Sequence, residues 1–302
     1  AMYKDDITIL DAGMGKTLGM KGVEIPPTIW SANALIVAPE MVLEVHRENI
    51  AAGAQMITTN SYGIIPSELE KEGLEEKFEE LNHSAGQLAL RAVKESNETV
   101  KIAGSLPPLN GSYRPDRVLG KEIIEPLYER QAELLAPYID VFLCETMSTI
   151  QEAISSTSVA SGFGKPVLVG LTLHDTEKNR LRSGESLKSA IHELKKLKPA
   201  GIIANCCLPE RISDAIPLLV DSGVKYKGGY ANAFTHVPED WLLDGDKDTD
   251  GRLKLREDLS PDRYCEFVSG WIEEGANFVG GCCGTTASHI KSINEWIKIQ
   301  SH

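Results

Sequence analysis

Short apolar segments rich in β-branched residues recur along the whole chain, and a longer helical pattern follows each of them. Most of these segments are hydrophobic on both faces, which is typical of strands buried in a parallel sheet. The eight predicted strands cover residues 7–13, 56–62, 101–106, 141–147, 166–173, 201–207, 227–233 and 278–284. Eight strand–helix units without a Gly/Ser-rich linker predict an α/β fold, a (β/α)₈ barrel of the TIM type, with a doubly wound open sheet as the alternative.

Polar and thiol side chains recur where these strands end. They are Asp11, Asn60 with Tyr62, Ser105, Glu145, His174, Cys206, Asn232 and Cys282. The carboxyl ends of barrel strands form one ring in which catalytic residues collect, whereas an open sheet would spread them along a line. The pattern therefore favours the barrel, with the active site at this end. We expect one domain over residues 1–302, with an acidic insertion at about 238–259 and one long helix over residues 69–93.

Two pairs of adjacent cysteines end predicted strands: Cys206 with Cys207, and Cys282 with Cys283. Only one strand separates the sixth and eighth strands of a closed barrel, so their ends can reach a common point. Three thiolates with a fourth tetrahedral position open are typical of a reactive zinc site, because structural zinc sites normally have four protein ligands. Neighbouring strand residues point to opposite faces, but the glycines beside Cys282 and Cys283 permit a break in the pleat. Buried thiols that pack as small hydrophobic groups, and a vicinal disulfide or redox pair, are the alternatives.

The whole sequence resembles the zinc-dependent homocysteine S-methyltransferases. The most specific similarity is Asn205 followed by Cys206, together with the run Gly-Gly-Cys-Cys-Gly far downstream at residues 280–284. Supporting similarities lie in segments 11–15, 59–62, 144–147 and 230–232. Two departures are Ala12, where the family commonly has glycine, and the segment 104–115, which is unlike the loop of members that use S-methylmethionine.

The resemblance implies a zinc site made by Cys206, Cys282 and Cys283, with Cys207 as a packing neighbour. The expected substrate-binding residues are Asp11, Ala12, Gly13, Asn60, Tyr62 and Glu145. Of these, Asp11 and Glu145 are expected to hold the ammonium of homocysteine, and backbone N–H groups around Ala12 and Gly13 its carboxylate. Asn232 is expected to orient a ligand without contacting the metal itself.

Zinc coordination lowers the pKa of a substrate thiol, so that the thiol loses its proton near neutral pH. We therefore expect the homocysteine sulfur to bind zinc as a thiolate and to attack a methyl group in line, giving methionine. The zinc-activated substrate thiolate is the catalytic group in this hypothesis, and no separate protein base is proposed.

The methyl donor is not readable from the sequence. A sulfonium, a betaine and a methylated corrinoid on a partner protein are all compatible with the chain, and segment 105–115 is where we expect donor selectivity to arise. Methyl transfer to selenocysteine or another thiol is an alternative within the same enzyme class. A non-catalytic zinc or thiol-redox protein that uses the same cysteines is the alternative from a different class.

A second metal signal lies within the acidic insertion. The run from Asp246 to Gly251, with Glu257 at position twelve, matches the calcium-loop pattern of an EF-hand. A calcium hand needs a helix on each side, and the flanking sequence leaves little room for them. We therefore interpret this segment as an acidic insertion over the barrel mouth rather than as a calcium site.

Composition bounds the partners and the compartment. The formal net charge of −13 argues against a nucleic-acid or anionic-membrane surface. No stretch approaches the roughly 20 apolar residues that span a bilayer, and the first residues are too polar for a secretion signal. Six cysteines are too few for a disulfide scaffold in a chain of 302 residues. We expect a cytoplasmic enzyme that acts on small molecules. The sequence is also compatible with a homo-oligomer.

Overall fold

The computed structural model describes residues 6–237, 239 and 255–301. Within these residues eight strands form one sheet in which all paired neighbours run parallel. The strands are β1 (Thr8–Ile9), β2 (Met56–Thr58), β3 (Lys101–Leu106), β4 (Val141–Met147), β5 (Val167–Leu171), β6 (Gly201–Asn205), β7 (Tyr226–Ala231) and β8 (Phe278–Gly281). Each strand overlaps a segment that the sequence predicted, and most predicted segments also include the loop residues that follow.

The sheet closes into a ring. Its order is β1–β8–β7–β6–β5–β4–β3–β2, and a parallel bridge between Leu10 and Met56 joins the two ends. Across this seam Gln55 N donates to Ile9 O at 2.8 Å, and Asp11 N donates to Met56 O at 3.0 Å. The fold is therefore a (β/α)₈ barrel, as predicted, and the open-sheet alternative is wrong.

Helices follow the strands around the barrel. In the described part of the chain they are α1 (Gly15–Met20), α2 (Asn33–Val37), α3 (Pro39–Ala52), α4 (Pro66–Lys71), α5 (Phe78–Glu95), α6 (Lys121–Leu135), α7 (Ile150–Ser161), α8 (Leu187–Lys195), α9 (Pro209–Asp221), α10 (Pro261–Glu273) and α11 (Ala287–Gln300). The long helix predicted over residues 69–93 is wrong. Gly73 adopts a left-handed φ of 68°, which ends the helical path and separates α4 from α5.

Two apolar layers hold the barrel. The larger one packs the outward faces of the strands against the helices, and it includes Phe142, Ile202 and Trp271. The smaller one fills the inside of the barrel with side chains such as Leu143 and Phe278. Strands that meet apolar layers on both faces must be hydrophobic throughout, which explains the continuous apolar segments of the sequence.

The acidic insertion predicted at about 238–259 falls mostly outside the described residues, and so does the calcium-loop match from Asp246 to Glu257. The described residues resume at Leu255, which pairs with Phe234 in an isolated antiparallel bridge. None of the helices that the structure describes combines the length and the apolar character needed to cross a bilayer.

Candidate active site

Three thiols converge where β6 and β8 end. Cys206 follows β6, and Cys282 and Cys283 follow β8. Their sulfur atoms all lie within 4.8 Å of one another. Cys206 is buried and the other two are half-buried, so part of the cluster is accessible to a small molecule. The structure thus brings the three predicted metal ligands together.

The backbone explains how neighbouring cysteines reach one point. β8 ends at Gly281, so Cys282 and Cys283 lie beyond the pleated strand, and Gly284 turns the chain with a φ of 81°. Cys206 has a φ of 52°, a left-handed conformation that costs energy for a residue with a Cβ. Its N–H donates to Tyr230 O at 3.0 Å. These turns, rather than the strands, direct the thiols.

The structure joins Cys206 and Cys282 as a disulfide and leaves Cys283 as a thiol, so a vicinal disulfide between Cys282 and Cys283 is wrong. A metal ligand must be a thiolate, so metal binding requires the reduced form of the pair. Tetrahedral Zn²⁺ with Zn–S bonds of about 2.3 Å holds its sulfur ligands about 3.8 Å apart. The observed spread of the three sulfur atoms fits such a site after a small movement.

Asp11 lies at the end of β1 and is buried. Its carboxylate accepts the N–H of Thr58 at 2.9 Å and the Thr58 hydroxyl at 3.0 Å. Burial raises the pKa of this carboxyl to about 7, against the hydrogen bonds from Thr58, which lower it. The charge of Glu145 adds to the rise, so the two acids are near enough to interact. An ammonium ion between them would relieve this repulsion.

Glu145 lies near the carboxyl end of the strand β4 and is also buried. One carboxylate oxygen accepts the Ser105 hydroxyl, and the other accepts the Tyr230 hydroxyl at 2.9 Å. Burial raises the pKa of the Glu145 carboxyl, and both hydrogen bonds lower it. Side chains from β3 and β7 therefore fix the orientation of this acid from two sides.

Asn205 fixes the strand end that carries Glu145. Its Oδ1 accepts the N–H of Thr146 at 3.0 Å, and its Nδ2 donates to the Thr146 hydroxyl at 3.0 Å. Thr146 has a left-handed φ of 63°, which this pair of hydrogen bonds supports. The residue directly before the thiol Cys206 thus links β6 to the acid on β4.

The loop after β1 packs against the loop after β8. Ala12 N donates to Asn49 Oδ1 at 3.0 Å, and Gly13 N donates to Thr285 Oγ1 at 3.3 Å. The Thr285 hydroxyl donates in turn to Cys282 O at 2.6 Å. The N–H groups of Ala12 and Gly13 are therefore paired within the protein here, and their role in binding the substrate carboxylate stays a prediction.

Asn60 and Tyr62 follow β2 and face neighbouring loops. Asn60 Nδ2 donates to Ser31 O at 2.9 Å. The Tyr62 and Ser112 hydroxyl oxygens lie 2.6 Å apart, so Tyr62 contacts the loop after β3. The charges of Glu145 and Cys283 both act on the Tyr62 hydroxyl, which places this ring beside the acid and the thiols.

Asn232 is buried at the end of β7. Its Nδ2 donates to the Tyr113 hydroxyl at 3.4 Å, and the Tyr113 hydroxyl hydrogen-bonds the Cys283 sulfur. Asn232 Oδ1 has no hydrogen-bond partner among the described residues. The predicted role of Asn232 in orienting a ligand is thus compatible with its position.

A buried ion pair links the loops after β5, β6 and β7. Arg182 Nη1 donates to Asp175 Oδ2 at 3.1 Å, with side chains that are 6% and 3% exposed. Asp175 also accepts the N–H groups of Leu208 at 2.9 Å and Val237 at 2.7 Å. Breaking such a pair would leave an uncompensated buried charge, so these loops are strongly coupled.

A cavity of about 640 Å³ shares the Tyr113 side chain with the thiol cluster. Its lining includes Tyr113 and Arg182, and Tyr113 also packs against Cys206 and Cys282. Acidic and basic side chains share this lining: Arg114, Asp116, His174, Asp175, His236 and Glu239. The cavity is therefore large enough for a small polar molecule and is separated from the thiol cluster by Tyr113.

The other cysteines are packing residues, which the sequence predicted for Cys207. Cys144, Cys207 and Cys265 are free and buried. Burial raises the pKa of the Cys144 and Cys207 thiols to about 12. Among the described residues, none of these three belongs to the cluster whose sulfur atoms lie within 4.8 Å of one another.

Sequence reasoning missed Asn49, Tyr113, Arg182 and Thr285. Each acts through a partner distant in the sequence, such as Thr285 with Gly13, 272 positions away. Tyr113 and Arg182 carried no motif, although Tyr113 lies in the segment expected to set donor selectivity.

Comparison with known proteins identifies the family. A family model described as homocysteine S-methyltransferase matches residues 8–297. The homocysteine S-methyltransferase of Escherichia coli (strain K12) is 27% identical over 312 residues, which cover 96% of this chain and 95% of that protein. Homocysteine S-methyltransferase 1 of Brassica oleracea var. italica is 26% identical over 316 residues, covering 96% and 93%.

Solved structures support the fold. The metallated form of the homocysteine methyltransferase MmuM from Escherichia coli has a TM-score of 0.81 and 24% sequence identity, and the match covers 97% of each chain. The oxidized form of the same protein matches equally well. Because the family match runs from β1 to α11 and includes all eight strands, this protein belongs to the homocysteine S-methyltransferase family, whose reaction moves a methyl group to homocysteine and gives methionine.

Proposed function

We propose that this protein is a zinc-dependent enzyme that transfers a methyl group from a small donor to the thiol of homocysteine. The observation that carries the proposal is the convergence of three thiols within 4.8 Å of one another, beside a pair of buried acids. A site that only stored zinc would not need two buried carboxylates beside its thiol ligands. The acids give the amino-acid part of the substrate a place to bind.

Cys206, Cys282 and Cys283 would hold the metal as thiolates, with the fourth position left for the substrate. A bound zinc ion would take the homocysteine sulfur as its fourth ligand and keep that sulfur deprotonated near neutral pH. The three protein thiolates keep the site electron-rich. The buried surroundings of Cys206 exclude competing water from one side of the cluster.

Asp11 and Glu145 would bind the substrate ammonium between them. Protein donors already orient both carboxylates, and each retains lone pairs for a further hydrogen bond. This contact holds homocysteine in one orientation and delivers its sulfur to the thiol cluster. No separate protein base is proposed, because neither acid is needed to remove the thiol proton.

The remaining predicted residues would shape the pocket. Gly13 allows the loop after β1 to approach the Cys282 backbone closely. Ala12, the preceding residue in this loop, would line the same side of the pocket. Asn60 and Tyr62 would form the side towards β2, and Asn232 would orient a ligand from the end of β7. Backbone N–H groups around Ala12 and Gly13 would bind the substrate carboxylate, exchanging their present partners Asn49 and Thr285 for it.

The methyl donor would enter from the cavity lined by Tyr113 and Arg182. Both charges occur in its lining: Asp116 pairs with Arg114 at 2.7 Å, and Glu239 lies 3.5 Å from His174. Such a lining suits a donor that itself carries both charges, such as an amino-acid sulfonium or a betaine. A methylated corrinoid on a partner protein would also need access from this side. Assays that measure methionine formation from homocysteine with each candidate donor, side by side, distinguish these donors. A donor that gives no methionine is excluded.

The thiol chemistry favours a reducing compartment, and we place the enzyme in the cytoplasm. The disulfide between Cys206 and Cys282 would otherwise remove two of the three ligands. The same disulfide is the observation that favours a thiol-redox protein as the second candidate. That candidate predicts reversible oxidation without binding of homocysteine.

The direct test measures zinc content and methyl transfer in reduced protein for Cys206→Ala, Cys282→Ala and Cys283→Ala. Each variant is expected to lose bound zinc and activity. With only two protein thiolates left, water would take the position of the missing ligand and the metal would be held weakly. Cys265→Ala is the matched control, since this thiol lies in α10 away from the cluster, and it should keep both properties. Full activity without bound metal in any of the three variants would exclude that thiol as a ligand.

A further inference from the structure

The Tyr113 side chain closes the thiol cluster from the loop after β3. It is 3% exposed and packs against Cys206, Val237 and Cys282. Its backbone has a φ of 62°, a left-handed conformation that is unfavourable for a bulky aromatic residue. Such a conformation persists only where the surroundings over-determine it, and it is often found at functional sites.

We propose that Tyr113 and Arg182 form a brace that positions the metal-binding thiols. In this brace the Tyr113 hydroxyl holds the Cys283 sulfur, and Arg182 holds the backbone of Cys206. The two residues are joined to each other, because the Arg182 guanidinium stacks over the Tyr113 ring at 4.7 Å from its centroid. The inference rests on the proposed zinc site and adds two positioning residues that are not ligands.

The Arg182 arm acts on the strained loop after β6. Arg182 Nη2 donates to Cys206 O at 3.0 Å. The same carbonyl accepts the Thr172 hydroxyl at 3.0 Å, and Thr172 Oγ1 accepts Arg182 Nε at 2.9 Å. Asp175 holds the far side of the guanidinium. Two donors from the loop after β5 therefore fix the left-handed conformation at Cys206.

The Tyr113 arm acts on the loop after β8. Asn232 Nδ2 donates to the Tyr113 oxygen, so the tyrosine proton is left to point at the Cys283 sulfur. A hydrogen bond to a ligand atom fixes its lone pairs and withdraws electron density from it. If Tyr113 only packed against the cluster, its aromatic ring would be enough and its hydroxyl would have no role. The placement of the hydroxyl between Asn232 and Cys283 indicates the positioning role.

Tyr113→Phe separates the two explanations, because it keeps the ring and its stacking on Arg182 but removes the hydroxyl. The reduced variant is loaded with Co²⁺ to record the sulfur-to-metal charge-transfer absorption, and its zinc affinity is measured by competition with a chromophoric chelator. We expect zinc affinity to fall about tenfold. The absorption should move to longer wavelength, because an unbonded thiolate gives up its electron more readily.

Tyr128→Phe is the matched control. Its hydroxyl is also buried and donates to the same loop, at Pro107 O at 2.8 Å, and within the described part of the chain its hydrogen-bond partners include none of the three thiols. It should leave both metal readouts unchanged. Arg182→Lys tests the other arm: it keeps the charge but loses the planar contacts, and it should also weaken zinc binding.

The outcomes separate this inference from the proposed function. Wild-type affinity and an unmoved absorption in Tyr113→Phe would overturn the Tyr113 arm, and unchanged zinc affinity in Arg182→Lys would overturn the Arg182 arm. Failure of the reduced wild-type protein to bind Zn²⁺ or Co²⁺ would instead overturn the zinc site itself. A shift in Tyr128→Phe equal to that in Tyr113→Phe would reduce both effects to loop packing.

Discussion

The two buried acids at the barrel mouth, Asp11 and Glu145, differ in the residues that donate hydrogen bonds to them. Thr58 donates two hydrogen bonds to Asp11, whereas Glu145 accepts one from Ser105 on the neighbouring β3 and one from Tyr230 on β7, three strands away. Burial raises the pKa of both carboxyls, and for Asp11 the value reaches about 7. The ionisation of Asp11 therefore falls near neutral pH, and in the proposed site it would make substrate binding sensitive to pH.

The pH dependence of kcat/KM for homocysteine tests this role of Asp11. Below pH 7 the Asp11 carboxyl becomes neutral and loses its attraction for the substrate ammonium. We expect kcat/KM to fall about tenfold for each pH unit on the acid side, with an apparent pKa near 7. Asp11→Asn should lower kcat/KM by roughly 10- to 100-fold at pH 8 and should abolish this acid limb.

Asp140→Asn is the control for that experiment. Asp140 also accepts a backbone N–H, from Ile102 at 2.8 Å, but it precedes β4 at the opposite end of the barrel. Its pH profile should match that of the wild type. An acid limb that survives unchanged in Asp11→Asn would show that another group titrates, and the assignment of Asp11 would be wrong.

At the scale of the elements, most of the candidate site residues lie in the loops that follow the strands, and the strands fix the positions of these loops. β8 ends at Gly281, one residue before the first of its two thiols. The loop after β1 touches this turn so closely that a Cβ on Gly13 would lie 2.5 Å from Cys282 O. Glycine at this position therefore lets the acid-bearing loop and the thiol-bearing loop share one wall.

Gly13→Ala is expected to weaken zinc binding by about tenfold or more, because the added methyl group must displace the backbone of a metal ligand. Chelator competition on the reduced variant measures the effect. Gly19→Ala is the matched control: a Cβ there meets nothing within 4 Å, and alanine favours α1 by about 1 kcal/mol. Equal zinc affinities in the two variants would contradict the close packing of the loops.

The sequence predicted the elements better than their ends. The apolar segments identified all eight strands, because a strand buried on both faces leaves a continuous pattern. The helix expected over residues 69–93 divides at Gly73, since helical spacing persists on both sides of a turn that only the backbone conformation reveals. The contacts of Arg182 with Cys206 and Tyr113 have no local pattern, because they form only when distant loops meet.

At the scale of the whole molecule, closure of the barrel makes the site. Cys206 and Cys282 are 76 residues apart in the sequence, and their Cα atoms lie 5.7 Å apart. β7 alone separates the two strands that carry them, and the bridge from Leu10 to Met56 completes the ring. An open sheet would leave the acid on β1 far from the acid on β4. The ring brings both acids and all three thiols to one end.

The central claim is that three protein thiolates hold zinc and that the substrate sulfur completes the site. X-ray absorption at the zinc edge of the reduced, zinc-loaded protein counts the sulfur neighbours directly. We expect three sulfur ligands at about 2.3 Å and one lighter ligand without substrate, and four sulfur ligands after homocysteine is added. A sulfur count that does not rise with homocysteine, or that is below three in its absence, would contradict the account.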